Sequence, residues 1–127
     1  MYEYKITQVL KVVDGDTLDV LIDVGFNMLR KERIRINRVD APETNSKNEL
    51  EKKLGQDAKE FVSEWVESQN NMTIKTFKDD KYGRILGEIY GDENCLNDML
   101  IENGLAWEYD GSTKNKDLIL LLERRKP

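Results

Sequence analysis

Apolar and polar residues alternate with a period of two over much of the first 40 positions. Residues 4–13 (YKITQVLKVV) are rich in β-branched side chains, Asp14-Gly15 is a turn signal, and residues 17–24 (TLDVLIDV) alternate. Two strands joined by a hairpin are expected there, with Gly15 supplying a positive φ and Asp14 capping its own backbone. Residues 25–32 read as a wide hairpin tip. Residues 32–39 alternate again, with Ile34 and Ile36 on one face and Arg33, Arg35 and Asn37 on the other, which predicts a third strand. Pro42 lacks an N–H and biases Ala41 away from helix, so that strand ends there. The period then becomes helical. Leu50, Leu54, Ala58, Phe61, Val62, Trp65 and Val66 predict a helix over 50–66, preceded by a polar stretch at 45–48 suited to capping; Gly55 weakens its first turn. Strands are expected at 72–77 and 85–90, and a short helix at 95–103, stopped by Gly104 in the left-handed C′ position. A last helix is expected at 116–125, although residues 118–122 are apolar throughout and periodicity does not decide.

Three strands, a long helix, two strands and one or two short helices fit one domain over residues 1–127. No repeat, low-complexity segment or linker interrupts the chain. Five short strands with one long helix after the third describe an α+β fold, mainly β, built as a small closed five-stranded barrel of the OB type with two or three helices.

Composition narrows the chemistry. The chain has no histidine and one cysteine, Cys95, which excludes His-based triads, multi-cysteine metal sites and an internal disulfide. Cys95 reads as a buried thiol at a helix start. No run approaches the roughly 20 apolar residues of a membrane-spanning helix. The N-terminus has neither a basic start nor an apolar stretch, so a cytoplasmic protein is expected, or a secreted one if the chain is a mature fragment. The net charge of −5 argues at first against a nucleic-acid partner, but it is unevenly spread. Residues 30–84 hold 13 Lys and Arg against 11 Asp and Glu. Arg30, Lys31, Arg33, Arg35 and Arg38 follow closely on Asp14, Asp16, Asp19 and Asp23. A basic strand after an acidic one suits a site for a cation and an anion together, and solvated strand faces give the same pattern.

Three segments carry candidate chemistry. Asp14-Gly15-Asp16-Thr17 is by itself a hairpin turn, and it is not an EF-hand loop, because Leu18 and Asp19 fall where that loop requires a ligand and a glycine. Asp40 and Glu43 leave a strand end together close to Arg35, either as a solvated proline turn or as a metal site beside a phosphate clamp. Asp79-Asp80-Lys81-Tyr82-Gly83-Arg84 is a charged turn that also offers an arginine and a lysine for phosphates and a tyrosine for a base or sugar.

Together and in this order, these segments resemble the thermonuclease, or staphylococcal-nuclease-like, family. The matching residues are Val13-Asp14-Gly15-Asp16-Thr17, Arg35, Val39-Asp40-Ala41-Pro42-Glu43-Thr44, and Gly55 with Ala58-Lys59-Glu60-Phe61. They continue through Asp80-Lys81-Tyr82-Gly83-Arg84, Leu96-Asn97, Leu100 and Gly104-Leu105-Ala106-Trp107, so the resemblance runs from about residue 11 to 109. It implies a Ca²⁺-dependent nuclease acting on DNA and RNA that leaves 3′-phosphate and 5′-hydroxyl ends. It further implies that Asp16 and Asp40 are carboxylate ligands of Ca²⁺, with Ala41 offering its main-chain carbonyl. Glu43 would be general base or water orienter, and Arg35 and Arg84 would bind the scissile phosphate. Lys81, Tyr82 and Tyr109 would hold the nucleotide's other phosphate and base. None of this chemistry needs histidine or cysteine.

The chain departs from the family pattern in places. Studied members are strongly basic, so this acidic chain is expected to bind more weakly, to depend more on low salt and to prefer short or single-stranded substrate. The stretch between Asp16 and Arg35 is longer than in the smallest relatives. Its tip, with Phe26, Met28, Leu29, Arg30 and Lys31, is a plain exposed hairpin or a surface for nucleic acid or a second subunit. Asn37 and Arg38 replace apolar residues, which predicts a wetter face for the third strand. Trp65 reads as core and Trp107 as packed under the last helix. Two other functions fit the same residues less fully: a non-catalytic OB module for nucleic acid or protein, and a phosphodiesterase for small nucleotides.

Overall fold

The computed structural model describes residues 2–77, 83–109 and 117–125. Strands β1 (Tyr2–Asp14), β2 (Thr17–Asp23) and β3 (Leu29–Ile36) form an antiparallel meander. After a two-residue strand β4 (Val39–Asp40) come helix α1 (Glu49–Ser68) and strands β5 (Met72–Thr76) and β6 (Ile85–Tyr90). Helix α2 (Leu96–Glu102), strand β7 (Trp107–Glu108) and helix α3 (Leu118–Arg124) complete the described elements. The sheet closes in the order β1-β2-β3-β6-β5, antiparallel except for β3 beside β6, and β4 pairs separately with β7. This is the expected OB-type barrel, α+β and mainly β.

The alternation in sequence becomes the inside and outside of the barrel. Leu18, Val20 and Ile22 of β2, Ile34 and Ile36 of β3, Ile74 of β5 and Ile89 of β6 fill the interior. Each such side chain contributes roughly 1.5–3 kcal/mol by leaving water. The long β1 buries only Ile6 fully; register shifts after Ile6, Val9 and Val12 bend it so that it pairs with both β2 and β5 and closes the barrel. Helix α1 lies across one end. Asn48 caps it by accepting from the Glu51 N–H at 3.0 Å, and Leu54, Ala58, Val62 and Trp65 line its inner face. The apolar run in α3 buries Leu121 completely, while Ile119 and Leu122 remain exposed. Trp107 is buried and its indole N–H donates to the Asp117 carbonyl at 3.2 Å, so it does pack beside α3. Among the described residues, no helix is long and apolar enough to cross a membrane.

Three local expectations are corrected. The hairpin tip is tight, because Leu29, Arg30 and Lys31 already pair with Asp23, Ile22 and Leu21 as part of β3. Strand β3 stops at Ile36: Asn37 and Arg38 form a turn, Arg38 has a φ of 61°, and neither residue belongs to a strand face. Gly15 is not among the residues with positive φ. A Cβ there would stand 2.7 Å from that of Ala58 and 3.0 Å from that of Ala41, so its glycine is demanded by close packing. Gly104 does take the left-handed conformation, at φ 67°.

Candidate active site

Strand ends and one loop assemble the site. Asp16 sits in the turn between β1 and β2, and its main-chain carbonyl accepts from the Ile36 N–H at 2.8 Å, which fixes it beside the end of β3. Its carboxylate is buried. Oδ1 accepts from the Thr17 hydroxyl at 3.0 Å and Oδ2 from the Ala41 N–H at 2.9 Å. Asp40 is delivered by the small β4–β7 ribbon, where it pairs with Trp107. Arg35, on the outer face of β3, reaches between the two acids: Nη2 lies 3.5 Å from Asp16 Oδ2 and 3.7 Å from Asp40 Oδ1. Nη1 donates to the carbonyls of Ile36 and Val39, which holds the guanidinium flat against the chain. Burial pushes the Asp16 carboxyl above its ordinary range. Arg35, the Ala41 N–H and the Thr17 hydroxyl pull it back, and the neighbouring Asp40 charge adds to the rise.

Ala41, Pro42 and Glu43 follow directly. Ala41 and Pro42 are buried and Glu43 is exposed, so the loop carries the Glu43 carboxylate to the surface three residues from Asp40. The loop is held from two sides. The Thr44 hydroxyl donates to Asp14 Oδ1 at 2.7 Å, and helix α1 lies against it at Gly55. A Cβ on Gly55 would meet the carbonyls of Pro42 and Glu43 at 2.7 Å. This gives the physical reason for a glycine inside a helix, which the sequence marked both as a weak first turn and as part of the family motif. Gly55→Ala gains helix propensity of about 0.5–1 kcal/mol but sets a Cβ against backbone, an overpacking that typically costs 1–3 kcal/mol. The expected outcome is modest destabilisation in urea unfolding and, if Glu43 serves the chemistry, roughly tenfold lower kcat/KM, because a fraction of an ångström in the placement of a reacting group is felt in the rate.

Tyr109 joins the site. Its N–H donates to the Arg38 carbonyl at 3.0 Å, and the Arg35 guanidinium carbon lies 6.0 Å from its ring centroid. Arg84 precedes β6, two residues before Leu86, the partner of Arg35 in the parallel pairing, so alternation places both arginines on the outer face of the barrel. Lys81 and Tyr82 lie outside the described residues. A cleft of about 460 Å³ opens next to the site and shares Val39 and Tyr109 with it. Its wall carries Asp98, Glu102 and Glu108 against Arg38 alone, a net acidic lining that disfavours a phosphate.

Asn97 was quoted in the sequence pattern without a role, and the structure gives it one. Its side-chain amide donates to the carbonyls of Asn37 at 2.9 Å and Gly87 at 3.3 Å, and its oxygen accepts from the Ile89 N–H at 3.1 Å. It therefore ties α2 to β6 and to the turn that leads into β4. Its place in the Leu96-Asn97 motif was the signal in the sequence that pointed to it.

A profile of the staphylococcal nuclease homologue family matches residues 33–125, which takes in Arg35, Asp40, Glu43, Arg84 and Tyr109. The chain belongs to the staphylococcal nuclease family. Endonuclease YncB of Bacillus subtilis is 32% identical to it over 119 residues, covering 90% of this chain and 54% of that protein. An uncharacterized endonuclease of Escherichia coli is 30% identical over 104 residues, 81% of this chain and 60% of its own length. A probable staphylococcal-like nuclease, CAN1, of Oryza sativa subsp. japonica is 29% identical over 91 residues, 72% of this chain and 25% of the rice protein. The chain thus spans between a quarter and three fifths of these relatives. Within the family frame, the segment from Asp16 to Thr17 lies ahead of the matched region, yet it is pinned to that region through Ile36, Arg35 and Ala41.

Proposed function

We infer that this chain is a Ca²⁺-dependent nuclease domain that hydrolyses phosphodiester bonds of DNA and RNA at the 5′-oxygen, leaving 3′-phosphate ends. The observation that carries the reading is the meeting of Asp16, Arg35 and Asp40 at one strand end, next to the loop that presents Glu43. The donor set suits a hard cation. Among the described residues no group of three acids, histidines or cysteines converges, but two carboxylates do, with Ala41 between Asp40 and the proline turn. Asp16, Asp40 and the Ala41 main-chain carbonyl would hold the ion, all oxygen donors of the type Ca²⁺ takes. When bound, a divalent cation supplies Lewis-acid charge at a non-bridging phosphate oxygen.

The chain's own residues do the rest. Arg35 is permanently charged and presents a fork to phosphate oxygens, with Arg84 as the second guanidinium on the same outer face. The exposed Glu43 carboxylate takes or steers the proton of the attacking water as the water oxygen bonds to phosphorus, and the 5′-oxygen departs with the electrons of the broken P–O bond and takes a proton from solvent to end as a hydroxyl. Tyr109 beside Arg35, with Lys81 and Tyr82, would seat the neighbouring phosphate and base. The decisive experiment is hydrolysis of heat-denatured DNA in low salt with Ca²⁺, with Mg²⁺ and with a chelator, with Glu43→Gln alongside. Calcium-dependent cleavage leaving 3′-phosphate ends is expected. The variant should lose about a hundredfold or more in kcat while still binding a nucleoside 3′,5′-bisphosphate. Full turnover in the variant would place the base elsewhere. No cleavage by folded wild-type protein would favour the non-catalytic OB module.

A further inference from the structure

The tip of the β2–β3 hairpin holds a bulky side chain in a backbone conformation that costs stability. Gly25, Phe26 and Asn27 all have positive φ, at 88°, 57° and 58°, and the turn is closed by the Met28 N–H on the Gly25 carbonyl at 2.9 Å. Glycine and asparagine take this conformation readily, but a phenylalanine does not. The strained Phe26 is also 96% exposed, and Met28 and Leu29 beside it are more than half exposed. An aromatic ring held out on a rigid turn, with no role in packing, points to a partner.

The strand that leads from this tip to the site is cationic on its outer side. Ile34 and Ile36 point into the barrel, so Leu29, Lys31, Arg33 and Arg35 form the opposite row of β3. Arg33 grips Asp19 with a fork of 2.8 and 3.0 Å, and Lys11 stands in register on the far side of Asp19. Lys11, Lys31 and Arg33 outnumber the two acids on that face of β2, Asp19 and Asp23, a local positive excess on a chain whose net charge is −5. From Arg35 to Leu29 the strand covers about 20 Å, the reach of a few extended nucleotides and well within the roughly 4–16 nucleotides an OB barrel occupies.

We propose that the outer row of β3 and the hairpin tip form a track for a single polynucleotide strand running away from the cleaved bond, with Lys31 and Arg33 on its phosphates and Phe26 stacked on an unpaired base. The proposal rests on the nuclease reading and narrows its substrate to a single strand several nucleotides long. Charge decides against a second copy of this acidic chain as the occupant, and a ring needs an unstacked base rather than a duplex.

The test uses the whole chain, with Phe26→Ala and Lys31→Gln, both at exposed positions. A fluorescent 12-nucleotide oligothymidylate and a thymidine dinucleotide serve as long and short probes in calcium buffer. Each variant is expected to lower kcat/KM on the long probe by about five- to tenfold, with the dinucleotide unchanged within about twofold. Lys31→Gln should also lower the salt slope of oligonucleotide binding by about one. Unchanged rates on the long probe, or equal losses on both, would overturn the track. So would a wild-type dimer in sedimentation that Phe26→Ala dissolves. If wild-type protein cleaves neither probe, the nuclease reading fails separately, and oligonucleotide anisotropy still decides: weaker binding in both variants supports the track, and unchanged binding overturns it.

Discussion

Arg35→Ala is expected to lower kcat by about a thousandfold or more and to cost roughly 3–5 kcal/mol of stability, the largest combined effect of any single change in this chain. The Arg35 side chain is only 13% exposed. One guanidinium nitrogen satisfies the Ile36 and Val39 carbonyls and the other lies between Asp16 and Asp40. Its removal leaves two carboxylates facing each other without the charge between them, and it frees the carbonyls of Ile36 at the end of β3 and of Val39 in β4. The rate effect has a different origin, since a guanidinium at the phosphate is worth 10³–10⁵ where charge develops in phosphoryl transfer. Arg35→Lys separates the two contributions. It keeps a positive charge between the acids but cannot donate in the plane to carbonyls and phosphate together, so stability should recover more than turnover. Urea unfolding and initial rates on denatured DNA measure both. Turnover within tenfold of wild type in Arg35→Ala would remove this residue from the chemistry.

What the sequence made legible, and what it hid, follows from the range of the interactions. The barrel's interior was readable because Leu18, Val20, Ile22, Ile34 and Ile36 alternate with polar residues, and a one-residue slip would expose them all. Helix α1 was readable from its apolar spacing and the Asn48 cap. The turn at Asn37 and Arg38 was not, because Asn37 continues the polar row of β3 and Arg38 alone read as a wet position on the inner face; what ends the strand is a set of long-range hydrogen bonds, from the Asn37 N–H to Gly87 and from Asn97 to the Asn37 carbonyl. The same holds for the β4–β7 ribbon, two residues on each side, which presents Asp40 and carries no periodicity of its own. Gly15 and Gly55 stood out as glycines, but for the wrong reason: both are excluded-volume positions where turn, loop and α1 touch. The site's residue types were visible in the motif order. Their convergence is a property of three chain segments that sequence spacing alone does not join.

Asp16→Asn should show the opposite coupling to Arg35→Ala: turnover falls by about a thousandfold while the metal-free protein becomes more stable at neutral pH. The loss follows because Asp16 is one of two carboxylates that would hold the cation, whose charge stabilisation is worth several kcal/mol. The gain follows from burial. Asp16 is buried, and its carboxyl is raised above the ordinary value first by that burial, against the pull of Arg35, the Ala41 N–H and the Thr17 hydroxyl. A raised folded value means that the native state holds the proton more tightly than the unfolded chain does. Below the unfolded value of 3.8 both states are protonated; as pH climbs through the folded value the unfolded chain has already ionised, and stability falls and stays lower above that window. Asparagine keeps the shape, can still accept from the Ala41 N–H and never ionises. The variant's advantage should therefore be absent in acid, grow as pH rises through the folded value of Asp16, and level off above it. Thermal unfolding with chelator across pH measures it. Adding Ca²⁺ should raise the Tm of wild type through binding to the folded state and leave the variant nearly unmoved, closing or reversing the gap. A variant less stable than wild type at neutral pH in chelator would mean that the Asp16 charge is already balanced by its neighbours, and that the site is not built to take a cation.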